Sequence, residues 1–147
     1  MIEWFDDLTI GMKFKTGEAQ ITAPDIKRFA AEFDPQPMHL DEYTAAETIF
    51  KGLAASGWHT AGTGMRLLVE ARPFGTHPIV GLGGELRWMA PVRPGDVVHM
   101  EGEITSLTPA KTKPHGTVVM KWTMYNQQGQ AVYEVTPVTI VPRRPDG

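Results

Sequence analysis

A chain of 147 residues is the size of one ordinary domain, and a domain of that length buries about 68–70% of the surface of its unfolded form, enough for a core of its own. A formal charge of −3, with no basic run beyond Arg143–Arg144, excludes the concentrated positive footprint of a nucleic-acid binder, and the absence of cysteine excludes disulfides, thiolate nucleophiles and thiolate metal ligands. Apolar residues at 41% and charged residues at 21% are the proportions of a soluble globular protein, with disorder expected only in the Pro/Arg-rich tail, residues 141–147.

The opening MIEWFDDLTIG carries acids where a secretory leader has a basic start and an apolar run. No stretch approaches the roughly 20 apolar residues of a membrane helix. A cytoplasmic protein without membrane contact is therefore expected, by default. No repeat, linker or low-complexity segment interrupts the chain, so residues 1–147 are expected to form a single domain.

The character of the sequence changes near Pro73, helical before it and extended after it. A strand is expected near Lys13–Ile21. Thr22 then caps a helix running to Phe33, with Pro24 in the first turn, where no donor is missed. Ile26, Phe29, Ala30 and Phe33 fall on one face of it. Asp34-Pro35 stops this helix, because the residue before proline is pushed out of the helical region. The loop PQPMHL follows, and Asp41 is expected to cap a short helix through Ala45 and Ala46. Ser56-Gly57 opens the long helix, which continues through Arg72. Gly62 and Gly64 inside it each cost about 1 kcal/mol relative to alanine, so a close neighbour, a sheet, is expected against them.

From Ile79 onward four extended runs are read, over residues 79–92, 96–108, 116–126 and 131–141. Val98, Met100 and Ile104 alternate in the second, and Val118, Met120, Trp122 and Met124 in the third. Arg93-Pro-Gly-Asp96 and Asn126-Gln-Gln-Gly129 carry turn residues. Five or so antiparallel strands and one long, closely packed helix predict an α+β domain with the sheet wrapped around the helix.

Three groups of residues have chemical potential. Asp34 and His39 place a carboxylate and an imidazole on a loop stiffened by Pro35 and Pro37, and such a pair can share acid–base work near neutral pH. The structural alternative is an Asp-Pro turn and an ordinary loop histidine. Ser56-Gly57 puts unpaired N–H groups and the positive end of a dipole at a site where glycine lets a ligand carbonyl approach. The structural alternative is a plain serine cap. The segment Glu85–Asp96 contains Arg87 and Trp88, either of which can face a ligand, although strand and turn account for every residue in it. His59, His77, His99 and His115 show no metal-ligand spacing. Gly81-Leu-Gly-Gly84 lies within a strand pattern and not before a helix, so no phosphate loop is expected there, and neither cofactor nor metal is expected.

Together, Asp34-Pro-Gln-Pro-Met-His39, Ala55-Ser-Gly-Trp-His59 and Leu86-Arg-Trp-Met-Ala-Pro-Val-Arg-Pro-Gly-Asp96 resemble the MaoC-like dehydratase family, which includes the (R)-specific enoyl-CoA hydratases. The similarity runs from about Phe14 to the last strand. It implies a hotdog fold, a homodimer or higher homo-oligomer, and an acyl-CoA or acyl-carrier thioester as substrate. It also implies a hydro-lyase that interconverts a trans-2-enoyl and a 3-hydroxyacyl thioester. Asp34 and His39 would activate the water, the Gly57 N–H would polarise the thioester carbonyl, and Ser56 and Trp58 would contact substrate. A side chain at position 57 is expected to crowd that carbonyl while hardly disturbing the helix. Two departures from the family loop, Gln36 for Asn and Met38 for an aliphatic residue, bear on the substrate more than on the reaction. The alternatives are a hotdog thioesterase, which commonly carries a carboxylate on the central helix where Trp58–Val69 has none, and a non-catalytic acyl-thioester binding module, whose mark would be loss of Asp34 or His39.

Overall fold

The computed structural model describes residues 1–145. After a 3-10 turn at Phe5–Asp7 come β1 (Lys13–Gln20), α1 (Ala23–Phe33), α2 (Pro37–Leu40), α3 (Glu42–Ala46) and α4 (Gly57–Ala71). The strands β2 (Val80–Trp88), β3 (Val97–Pro109), β4 (His115–Tyr125) and β5 (Ala131–Pro142) complete the chain. All five strands form one antiparallel sheet in the order β1-β3-β4-β5-β2.

The sheet curls around α4. On β3 and β4 the period-2 residues Val98, Met100, Ile104, Val118, Met120, Trp122 and Met124 are all buried, which is what alternation against one covered face requires. The expected close approach is found at Gly64. A Cβ there would lie 2.9 Å from Met100 Sδ, 3.3 Å from Met124 Cε and 3.5 Å from Tyr133 Cε2, so three strands meet the helix at one residue without a side chain. Gly62 is different. It faces outward with nothing within 4 Å of its Cβ position, so only one of the two glycines reflects packing.

Local signals account for most element ends. Thr22 accepts a hydrogen bond from Asp25 N at 3.3 Å, and Asp41 caps α3 by accepting from Thr44 N at 2.9 Å. Gly95 (φ +88°) and Gly129 (φ +75°) occupy left-handed positions in the turns before β3 and before β5, where glycine avoids a Cβ penalty. The segment PQPMHL is not simply a loop: Pro37–Leu40 forms one helical turn. Pro37 stands at its first position, where its preset φ suits a helix and its missing N–H is not needed.

The tail also differs from expectation. Val141 and Pro142 belong to β5, Arg143 N donates to Pro114 O at 2.8 Å, and the Arg144 guanidinium pairs with Asp7. Strand pairing and the acids of the first turn thus order this segment; the last two tail residues, 146 and 147, lie outside the described residues.

Candidate active site

Three segments far apart in sequence converge at the N-terminus of α4. Asp34 is the C-cap of α1, where Pro35 ends the helix and turns its carboxylate toward α4. His39 lies in α2 and is only 4% exposed. Ser56 is the N-cap of α4 and is fully buried.

The chain before α4 is pinned to α2 by two bonds. Ala54 N donates to Met38 O at 3.1 Å, and His39 Nδ1 lies 2.7 Å from Ala54 O. A carbonyl oxygen only accepts, so Nδ1 carries the proton and Nε2 is the ring nitrogen left for chemistry. Nε2 faces Asp34 Oδ2 at 3.4 Å. On the other side, Arg93 Nη1 donates to Gly52 O at 2.9 Å and Leu53 O at 3.2 Å, with Nη2 bonded to Phe50 O, and Ala55 N donates to Val92 O at 2.9 Å. The Arg93–Asp96 turn read from the sequence is therefore also the anchor of the segment that carries the site.

Both Asp34 oxygens are occupied. Ser56 Oγ donates to Oδ2 at 2.7 Å and Gln36 Nε2 donates to Oδ1 at 2.6 Å. Burial acts to raise the Asp34 pKa, but the bonds from Ser56 and Gln36 and the charge of His39 outweigh it, so the carboxyl titrates below its ordinary value of 3.8. Asp34 is held as a carboxylate. Gln36, a departure from the family loop, still reaches Asp34.

A cavity of about 420 Å³ opens over this group. Asp34, Gln36, His39, Gly57 and Trp58 line it on the helical side, and Trp88 to Val92 form the facing wall. Ser56 lies behind this lining with its hydroxyl committed to Asp34 and to Trp58 N (3.3 Å), so its side chain reaches Asp34 and not the cavity. Trp58 is 58% exposed at the rim. Among the bonds between described residues, none uses the Gly57 N–H.

Of the two residues of the Glu85–Asp96 segment that could face a ligand, Trp88 is a cavity wall, whereas Arg87 is not. Its indole also lies against Gly57, where a Cβ would come within 2.6 Å of Trp88 Cε2. The expectation that a side chain at 57 would leave the helix undisturbed is corrected: it would first displace this ring. Among the described residues, no three or more His, Asp or Glu side chains converge to hold a metal.

A long helix held in the curl of a five-stranded antiparallel sheet is the hotdog fold. The profile of the MaoC like domain matches residues 7–126, and the chain belongs to the MaoC-like hydratase/dehydratase family. It is 30% identical to the (R)-specific enoyl-CoA hydratase of Rhodospirillum rubrum over 145 residues, covering 98% of this chain and 95% of that protein. It is 35% identical to the uncharacterized protein YdeM of Bacillus subtilis over 130 residues, 88% of this chain and 92% of that one. The crystal structure of a MaoC-like dehydratase from R. rubrum superposes with a TM-score of 0.93 at 43% identity, covering 97% of this chain and 99% of that chain.

Proposed function

We propose that the chain, acting as a single domain, is a hydro-lyase that adds water across the 2,3 double bond of a trans-2-enoyl thioester, or removes it from the 3-hydroxyacyl product. The observation that carries this reading is the apposition of His39 Nε2 and Asp34 Oδ2 at a cavity wall, with the imidazole tautomer set by Ala54 O.

A water bonded to both groups gives its oxygen to C3 and a proton to the pair, and the pair delivers a proton to C2. The net change is H and OH across the double bond. Negative charge develops on the thioester oxygen as C3 is attacked. The Gly57 N–H, without a partner among the described residues and at the positive end of α4, stabilises that charge more in the transition state than in the ground state. Ser56 acts on substrate through Asp34, and Trp58 forms the rim over which the acyl group enters. The carrier is CoA or an acyl carrier protein.

The helix itself argues against hydrolysis. Glu70, the one acid of α4, is exposed, bonded to Arg66 Nε at 2.8 Å and outside the cavity lining. The working form is a homodimer or a larger homo-oligomer. In support, all nine residues of the edge strand β2 are exposed, including Val80, Leu82 and Leu86, and Trp58, Met65 and Val69 of α4 add further exposed apolar surface.

The test is a panel of trans-2-enoyl-CoA esters of increasing chain length, followed by loss of the conjugated thioester absorbance. Asp34→Asn and His39→Ala should each lower turnover by about 10²–10⁴, the range of general acid–base groups, while still unfolding cooperatively. Losses below about tenfold in both variants would remove the pair from the mechanism.

A further inference from the structure

We propose that Trp88 is a positioning residue: its indole N–H clamps the peptide that follows Gly57 and thereby sets the direction of the Gly57 N–H. The inference rests on the reading of Gly57 as the thioester-oxygen donor.

Glycine has the widest backbone freedom of any residue, and the first N–H groups of a helix have no partner within it. Gly57 combines both conditions, being glycine at the first position of α4. Its N–H belongs to the Ser56–Gly57 peptide, whose carbonyl accepts from Thr60 N at 3.0 Å, so the helix holds one side of the donor and the Gly57 torsions decide the rest. Donors stabilise a developing charge efficiently only when already oriented, because no reorganisation is then needed during reaction.

The structure adds a second constraint, from outside the helix. Trp88 Nε1 donates to Gly57 O at 2.8 Å, and Trp58 N donates to Ser56 Oγ at 3.3 Å. These are the two polar groups of one peptide unit, that between Gly57 and Trp58. It is gripped at its carbonyl by the end of β2 and at its N–H by the cap. Ser56, fully buried and bonded to Asp34, holds the other side of Gly57. Both backbone torsions of Gly57 are therefore enclosed between fixed points, and the donor is set relative to Asp34.

Trp88 is itself held. It closes the β2–β5 ladder opposite Tyr133, and the next residue continues the link, with Met89 N donating to Val132 O at 2.9 Å. Trp58 packs on it edge-on, ring centroids 5.2 Å apart at 83°. The ring lies so close to Gly57 that a Cβ would sit 2.6 Å from Cε2 and 2.9 Å from Nε1. Glycine at 57 is thus required by the clamp, independently of any ligand.

Trp88→Phe keeps an aromatic wall in the cavity and deletes the N–H. With trans-2-butenoyl-CoA as probe, kcat should fall about 10- to 100-fold, the scale of a small misplacement of a reacting group, with KM changing less than about threefold. Exchange of the Trp58 amide, followed by NMR, should accelerate in the same variant. In the unmutated protein the Trp88 indole proton should exchange more slowly than that of Trp58. An unchanged kcat in Trp88→Phe, or a raised KM at constant kcat, reduces the ring to a substrate wall and overturns the proposal. So does a Trp88 indole proton that exchanges as fast as that of Trp58, a measurement that needs no variant to fold. If the unmutated protein hydrates none of the enoyl-CoA esters, the proposed function fails, and the exchange measurements still decide whether the clamp exists.

Discussion

Replacing Ser56 by alanine removes one oxygen that serves two partners. Ser56 Oγ accepts from Trp58 N at 3.3 Å as the cap of α4 and donates to Asp34 Oδ2 at 2.7 Å. Loss of a serine cap typically costs about 1 kcal/mol. A hydrogen bond to a charged group contributes about 1.5–3 kcal/mol, but the Asp34 side chain is 18% exposed, so water can replace part of that bond, and about 1 kcal/mol of loss is expected from it. The sum, about 2 kcal/mol, corresponds to a fall in Tm of about 4–8 °C for a domain of this size. The electrostatic consequence has a definite sign. With its carboxyl titrating below 3.8 when folded, Asp34 contributes stability that is present above that value and lost as pH falls through the folded value. Removing the Ser56 bond raises the folded pKa toward the unfolded one, so the stability gap between Ser56→Ala and the unmutated protein should narrow as pH falls through the folded value. The acid limb of its kcat/KM profile should move upward. Differential scanning calorimetry across an acid pH series measures the first effect, and enoyl-CoA hydration the second. A Tm within about one degree of the unmutated protein, together with an unmoved acid limb, would refute the assignment of Ser56 as both cap and carboxylate partner.

The two interior glycines of α4, Gly62 and Gly64, should respond in opposite directions. Gly62→Ala, with open space at its Cβ, should stabilise by about 0.5–1 kcal/mol, whereas Gly64→Val should destabilise by about 1–3 kcal/mol as Met100, Met124 and Tyr133 are pushed aside; urea denaturation of both variants checks the pair. His59 is half-buried, stacked on Phe29 at 5.0 Å, and its Nδ1 has no partner among the described residues. Burial lowers its pKa from 6.5 against the raising effect of Asp25, so as pH falls below 6.5 the unfolded chain takes up a proton that the folded one refuses, and stability is lost. His59→Phe should therefore lose less stability than the unmutated protein between about pH 7 and pH 5, and equal losses in chemical denaturation would contradict this. Sedimentation equilibrium at micromolar concentration should return at least twice the chain mass, and a monomer alone would leave the apolar surface of β2 and α4 without its proposed partner.

Much of the architecture is written in neighbouring residues and was legible for that reason. Thr22 and Ser56 cap the helices they precede because a side-chain oxygen and the N–H it accepts lie two or three residues apart. The alternation on β3 and β4 states which face is buried without naming what buries it. The Asp34-Pro35 stop and the Pro37 turn bring a carboxylate and an imidazole within five residues of each other, so the pair could be suspected from sequence. The proton on His39 Nδ1 could not, because it depends on Ala54 O, 15 residues further along. Ser56 looked like a substrate contact until its burial and its bond to Asp34, across 22 residues, showed its hydroxyl already engaged. Gly57 read as an opening for a ligand, and only the fold brought Trp88 from 31 residues away to lie against it. The same limit applies to β2, whose composition reads as an ordinary strand but whose position at the sheet edge leaves every residue exposed. Capping, periodicity and turn chemistry act between near neighbours and are therefore carried by sequence. Tautomer, carboxylate environment and the reason for a glycine depend on atoms brought together by chain crossings, and only the tertiary structure decided them.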